Sequence, residues 1–526
     1  MKKFTWILPL LAVLWTLSFV FWGRGGNDPY YWISVYDGVI GGGKSISFLT
    51  VALGYFLGET FGYTLLTYRL AGWICDLLAV LVPFIFIVPK DRRFSPKSLL
   101  FLSLTLLLMG YGTFNEFSPG TLSFLLLSAC LVPLHRFSLD GGMKSVLTLA
   151  VISALATAAR FPNVLACGVI GLFLIVMSSG VKKITNVVIY AFSAIAVFYI
   201  SFVLLTGETA IFHYYSEGLS VAGSDPDHTM HSMLSGLFLG ANEILIYLGF
   251  YALLLCGFKI KPLNRCGELI LTFCLVLALC YFLKQNIGTH IWYNMHLVVF
   301  LASGCLFLCG YQIAVNRGEK NFNLFLAAAV LVLTVIPAGS DTAWMKLFPS
   351  YLALLPITLV KLDPELDSRK ASLTIVLVLY SLVCFANNNI SHGNRENIFH
   401  QRAIVNHPVM KATLVSESDK KYVDEILSDF QEYGKRDSVI FYGTKAHMPY
   451  CLSGTKPMYE YGFRMHATDS LQLVQVFDVM KTTGATLFYM EPITIPFFDR
   501  SMDSLRYEPV KSTQYYTIYK PQETLK

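Results

Sequence analysis

Apolar runs long enough to cross a bilayer, separated by short basic loops, constrain this chain more than any other feature. Crossing the hydrocarbon core takes about 20 helical residues at about 1.5 Å each. Such runs recur from residue 4 to residue 386. Spanning helices are expected near 4–22, 66–88, 98–112, 119–134, 145–159, 163–178, 184–206, 234–258, 266–283, 295–315, 322–337, 349–361 and 371–386. The expected fold class is therefore a polytopic α-helical membrane protein of about thirteen helices. Charged residues make up 14 % of the 526 and hydrophobic residues 55 %, whereas a soluble domain carries about a quarter charged. Too few charges remain to cover a water-facing surface of this size.

The basic residues mark the topology. Alternate crossing puts eighteen of those up to residue 386 on one side, from Lys2 and Lys3 through Arg92, Arg136 and Lys182 to Lys370. Six fall on the other: Arg24, Lys44, Arg69, Arg160, Lys284 and Lys346. By the positive-inside rule the N-terminus is cytoplasmic and the far side is extracytoplasmic, in a plasma (inner) membrane. The apolar stretch 46–57, broken by Gly54, is short for a span and would invert that bias if it crossed. It reads as an interfacial or re-entrant helix. The net charge of +6 is spread over these loops as topology signals, so no nucleic-acid partner is implied. Residues 1–22 end without a small-residue cleavage site and read as a retained helix. Of eleven cysteines only Cys451 lies in the polar C-terminal part, and none forms a metal-like pair.

The last 140 residues change character. Helical segments at 417–433 and 469–483 alternate with strand-like runs at Val439–Tyr442, Thr486–Met490 and Tyr515–Tyr519. That alternation predicts a small extracytoplasmic α/β domain over 387–526, after a transmembrane domain over 1–386 that includes interfacial helices at 29–58.

Chemistry is sought in the extracytoplasmic loops. The first reads Asn27-Asp28-Pro29-Tyr30-Tyr31-Trp32, then Tyr36-Asp37-Gly38 and a glycine run. Asp28 before Pro29 has the form of a helix start. The aromatic residues suit a helix lying in the interface. On these grounds alone Asp28 is either a cap or a reactive carboxylate.

An acidic residue before a Tyr-Tyr pair, a short helix and a glycine turn, directly after the first transmembrane helix, resembles the GT-C superfamily of glycosyltransferases. Protein O-mannosyltransferases and the aminoarabinose transferase of lipid A belong to it. The layout of about thirteen spans and a C-terminal α/β domain is similar to the latter branch. So is the run Asp437-Ser438-Val439-Ile440-Phe441-Tyr442, followed by Tyr450 to Pro457.

The resemblance implies transfer of a sugar from a polyprenyl-phosphate donor to a lipid, glycan or protein acceptor, with Asp28 as catalytic base. The family's frequent acidic pair is Asn27-Asp28 here, so one carboxylate remains and no metal or other cofactor is implied. Arg160, in a very short turn, is a candidate for the donor phosphate, and equally a residue that snorkels to headgroups. Lys284 is a second phosphate candidate. Tyr30, Tyr31, Asp37, Glu116, His290 and Tyr293 are candidates to line the acceptor cavity. The aromatics among them also fit as interfacial anchors and Glu116 as a solvated loop carboxylate. The loop 207–233 holds Glu208, His213, Glu217, Asp225, Asp227, His228 and His231 without zinc-like spacing, and reads as an acceptor-facing loop. The competing classes are a flippase or transporter, which would carry buried charges such as Asp76 and Glu243, and a polysaccharide polymerase or ligase.

Overall fold

A computed structural model describes residues 6–23, 28–39, 45–109, 116–223, 241, 244–249, 251–252, 295–336, 350–362, 401–434, 438–443, 445–458, 470–490 and 496–522. The first part is a helical bundle. Its elements are α1 (Ile7–Ser18, prolonged by a 3-10 turn to Phe21), α2 (Asp28–Tyr36), α3 (Phe48–Phe61), α4 (Leu65–Ile87), α5 (Lys90–Arg93), α6 (Pro96–Met109), α7 (Pro119–Asp140), α8 (Met143–Ala159), α9 (Val164–Met177), α10 (Lys182–Thr206), α11 (Ile211–Gly223), α12 (Met295–Val315), α13 (Lys320–Thr334) and α14 (Leu355–Leu362).

Among the described residues α4, α7 and α10 are long and apolar enough to cross a membrane. Large apolar side chains face outward along α10, with Phe192 73 % and Leu204 77 % exposed. Water would penalise that surface and lipid does not. The chain is thus a polytopic membrane protein. Helix α7 packs against α4 and α8, and α10 against α8. Their contacts form one continuous apolar core around Leu127, Leu131, Val146, Leu149 and Ala150, all buried.

The expected spans at 4–22, 66–88, 98–112, 119–134, 145–159, 163–178, 184–206, 295–315 and 322–337 each have a helix. Two bounds move. Helix α7 continues to Asp140 because Gly141 takes the left-handed conformation (φ 63) that ends it. The segment at 349–361 turns at Leu352–Leu354 before α14 begins. The spans expected at 266–283 and 371–386, and most of 234–258, lie outside the described residues. So does the boundary at 386/387.

The C-terminal part is α/β. Strands β1 (Ala403–Ile404) and β2 (Leu414–Val415) pair antiparallel. Strands β3 (Val439–Tyr442), β4 (Thr486–Tyr489), β5 (Tyr507–Ser512) and β6 (Thr517–Pro521) form a sheet in the order β3-β4-β6-β5, with β3 and β4 parallel and the other pairs antiparallel. Helices α15 (Glu417–Tyr433), α16 (His447–Ser453), α17 (Ser470–Thr483) and α18 (Pro496–Leu505) accompany it. The helices expected at 417–433 and 469–483 match α15 and α17, and Gly484 (φ 65) ends the latter.

The strand expected at 515–519 begins two residues later. Thr513 and Tyr516 close a turn, with the Thr513 amide donating to the Tyr516 carbonyl at 2.9 Å. Buried Asp429 of α15 accepts from Lys511 Nζ at 2.6 Å and Tyr516 Oη at 2.7 Å, which fixes the helix to the β5–β6 hairpin.

Candidate active site

Three hydrogen bonds stitch four elements together where the bundle meets the C-terminal part. Tyr36 Oη of α2 donates to the Phe117 carbonyl at 3.0 Å. The Phe117 amide donates to the Tyr68 carbonyl of α4 at 2.8 Å. Tyr68 Oη donates to the Gly54 carbonyl of α3 at 3.0 Å. Gly54 is required here, since a Cβ would stand 2.4 Å from Tyr36 Cδ1. The Tyr36 and Tyr68 rings lie 5.0 Å apart. On the other side of α2, Tyr31 meets the His447 ring of α16 edge-on at 5.1 Å. Tyr30, Ile33, Tyr36 and Tyr68 thereby share one buried cluster with Phe441, Tyr450 and Leu487 of the C-terminal sheet and its helices. Helix α2 is wedged between the two parts by its own aromatic residues.

Asp28 opens α2 and is exposed while the helix behind it is packed. The turn leading into α7 carries Glu116, whose carboxyl feels the charge of Asp28. That turn is set by Ser118 and Thr121, each bonding the other's amide, with Pro119 as the first helical residue. Glu116 is 26 % exposed, with Oε1 3.8 Å from Nε of Arg69. Burial raises the pKa of Glu116 above the ordinary carboxylate value, the Arg69 charge opposes that rise, and the Asp28 charge adds to it. The two carboxylates are therefore electrostatic neighbours.

Arg69, 3 % exposed on α4, is the partner the sequence reading missed. Its Nη1 donates to the carbonyls of Trp22 at 3.2 Å and Gly23 at 2.8 Å. The available signal was a cation one turn inside an apolar helix, where an unpaired charge is costly.

The other expected residues are placed as follows. Tyr30 is fully buried in the cluster. Tyr31 is half-buried, and burial pushes its phenol up to about 12, so its hydroxyl stays neutral. Asp37 stands exposed past the end of α2, its pKa raised by burial and by the charge of Glu59 on α3. Arg160 lies between α8 and α9, where its Nη1 donates to the carbonyl of Ile336. Burial lowers its pKa to about 10, which leaves it a cation at neutral pH. Its neighbour Ala159 accepts from Thr50 Oγ1 of α3 at 2.9 Å and belongs to the same cluster as α2. Asp28, Glu116, Tyr30, Tyr31 and Asp37 thus belong to α2, its end and the turn before α7, and Arg160 directly follows the residue that α3 bonds. Lys284, His290 and Tyr293 lie outside the described residues. In the expected acceptor loop, exposed His213 and Glu217 pair at 2.8 Å on α11.

No family model and no curated protein matches the chain. Among solved structures, that of ArnT from Cupriavidus metallidurans bound to undecaprenyl phosphate is similar at 13 % identity. The match covers 99 % of this chain and 98 % of that one, with a TM-score of 0.41. A likeness of that score carries neither fold nor activity across.

Proposed function

We propose that this protein is a GT-C-type glycosyltransferase. It moves a sugar from a polyprenyl-phosphate donor to an acceptor on the extracytoplasmic face of the membrane. The observation that carries the reading is the exposed carboxylate of Asp28 at the tip of an otherwise buried aromatic helix, beside Glu116 and Arg69. The basic-residue bias puts this end of the bundle outside the cell. Tyr31 and His447 touch, so α2 and the C-terminal domain share that side.

In this reaction the acceptor hydroxyl gives its proton to Asp28 as its oxygen forms the bond to the anomeric carbon. The bond from that carbon to the lipid phosphate breaks, and the phosphate leaves with the electron pair. One displacement inverts the anomeric centre. The departing charge needs fixed cations, and Arg160 and Lys284 take that role. A base so placed contributes about 10²–10⁴-fold in rate. Tyr31, Asp37 and Glu116 serve the acceptor side, with His290 and Tyr293 as further candidates for it, and Tyr30 packs α2 into the buried cluster.

The test is Asp28→Asn in proteoliposomes supplied with a panel of undecaprenyl-phosphate-linked hexoses and pentoses and with an extract of envelope lipid, glycan and protein as the acceptor source. Release of undecaprenyl phosphate is expected to fall by two or more decades, about the range of general-base loss, at normal yield and insertion. Retained turnover overturns the reading.

One observation favours translocation instead. Asp76, 5 % exposed within α4, has an Oδ1 with no hydrogen-bond partner among the described residues. Such intramembrane carboxylates mark transport paths. Flux of the same labelled lipids without an acceptor, unaffected by Asp28→Asn, would establish that alternative.

A further inference from the structure

The carbonyls at the end of a helix need donors from outside it. After α1 and its 3-10 turn, the carbonyls of Trp22 and Gly23 both receive theirs from one atom, Nη1 of Arg69. The same guanidinium turns its Nε toward Glu116 Oε1 at 3.8 Å. We propose that Arg69 is a positioning residue of this site: it ties the chain at Trp22 and Gly23, ahead of Asp28, to the turn that carries Glu116. This rests on Asp28 acting as the base.

The platform beneath Arg69 is rigid. Its neighbour Tyr68 bonds Gly54 of α3 through its hydroxyl and receives the Phe117 amide on its carbonyl. The guanidinium is therefore tied to the element before Asp28 and to the turn carrying Glu116 at once. Burying such a cation is costly unless its donors are used. An ion pair with Glu116 alone would be served by a lysine. Here Nη1 serves the two carbonyls while Nε faces the carboxylate at ion-pair distance, so the guanidinium reaches two elements with separate nitrogens of one rigid plane, which a single ammonium nitrogen does not. Four residues separate Gly23 from Asp28, so the anchor limits how far the start of α2 can move from Gly23. An error of about 1 Å at a base costs on the order of a hundredfold in rate.

The experiment compares Arg69→Gln, Arg69→Lys and Asp28→Asn in proteoliposomes with the undecaprenyl-phosphate-linked hexoses and pentoses and the same acceptor extract. For Arg69→Gln, kcat is expected to fall about a hundredfold. The donor KM should move by less than about threefold, because binding is left intact. The acid limb of the kcat profile should shift to higher pH, since Glu116 loses the cation that favours its ionised form.

Arg69→Lys keeps a positive charge but lacks the fork. It is expected to restore the acid limb while recovering no more than about a tenth of the rate. If Arg69→Gln does not fold, Arg69→Lys decides alone: wild-type turnover in it overturns the proposal. So does an unchanged rate and profile in Arg69→Gln while Asp28→Asn is silent. Turnover in Asp28→Asn brings down the general-base reading instead.

Discussion

At the residue scale, Asp28, Glu116 and Arg69 act on one another electrostatically. The fold resists ionisation of Glu116, chiefly through burial, with Asp28 adding to the resistance and Arg69 opposing it. Folded Glu116 keeps its proton to a higher pH than in the unfolded chain. Between the ordinary value of 4.5 and the raised one, the native state binds more protons, so stability falls as pH rises through that window. Melting in detergent across this range is expected to show a decline that Glu116→Gln removes. An identical decline in that variant would show that other groups produce it. That Asp28 opens a short helix was legible in the sequence, because its order with Pro29 and the tyrosines survives without coordinates. Arg69 was not, because nothing in its neighbours indicates that Trp22 and Gly23 fold back onto it. That contact joins positions 46 and 47 residues apart.

At the element scale, α2 and α3 do the positioning. The short apolar stretch that reads as an interfacial helix is α3, and its glycines are what let it approach. Gly54 admits the Tyr36 ring and Gly58 the Tyr63 ring, which would stand 2.2 Å from an added Cβ. Gly54→Val must displace Tyr36, a central ring rather than a flexible chain end. Overpacking of this kind costs about 1–3 kcal/mol, and a fall in the melting midpoint with loss of turnover is expected. A melting curve and rate equal to wild type would show that the α2–α3 contact is dispensable.

The helices here were legible because an amphipathic or wholly apolar run of ten or more residues carries its own period. Strands β1 and β2 were not. Two residues each give no alternation to read, and what pairs them is the turn at Pro408–Met410.

At the scale of the whole molecule, bundle and C-terminal sheet are joined through one aromatic cluster, with α2 between them. The side of the membrane they face follows from the distribution of lysine and arginine, which no internal contact reports. Cysteine scanning with an impermeant maleimide on intact cells checks it. Lys445→Cys, at an exposed site next to α16, is expected to react from outside. Arg92→Cys, exposed on α5, should react only after permeabilisation. The reverse pattern would put Asp28 in the cytosol and remove the proposed chemistry.

Gly23 is held from both directions. Its carbonyl takes a bond from Arg69 and its amide gives one to the Leu414 carbonyl at 2.8 Å, beside the bridge between Trp22 and Leu414. One grip is made by an early helix, and the other by a strand synthesised nearly four hundred residues later. A nascent chain already threaded through the bilayer, and already in contact with lipid, still lacks half of this clasp. On the proposed reading the chain ahead of Asp28 is fully held only once Leu414 has met Gly23, so a product truncated before that strand is expected to show no transfer.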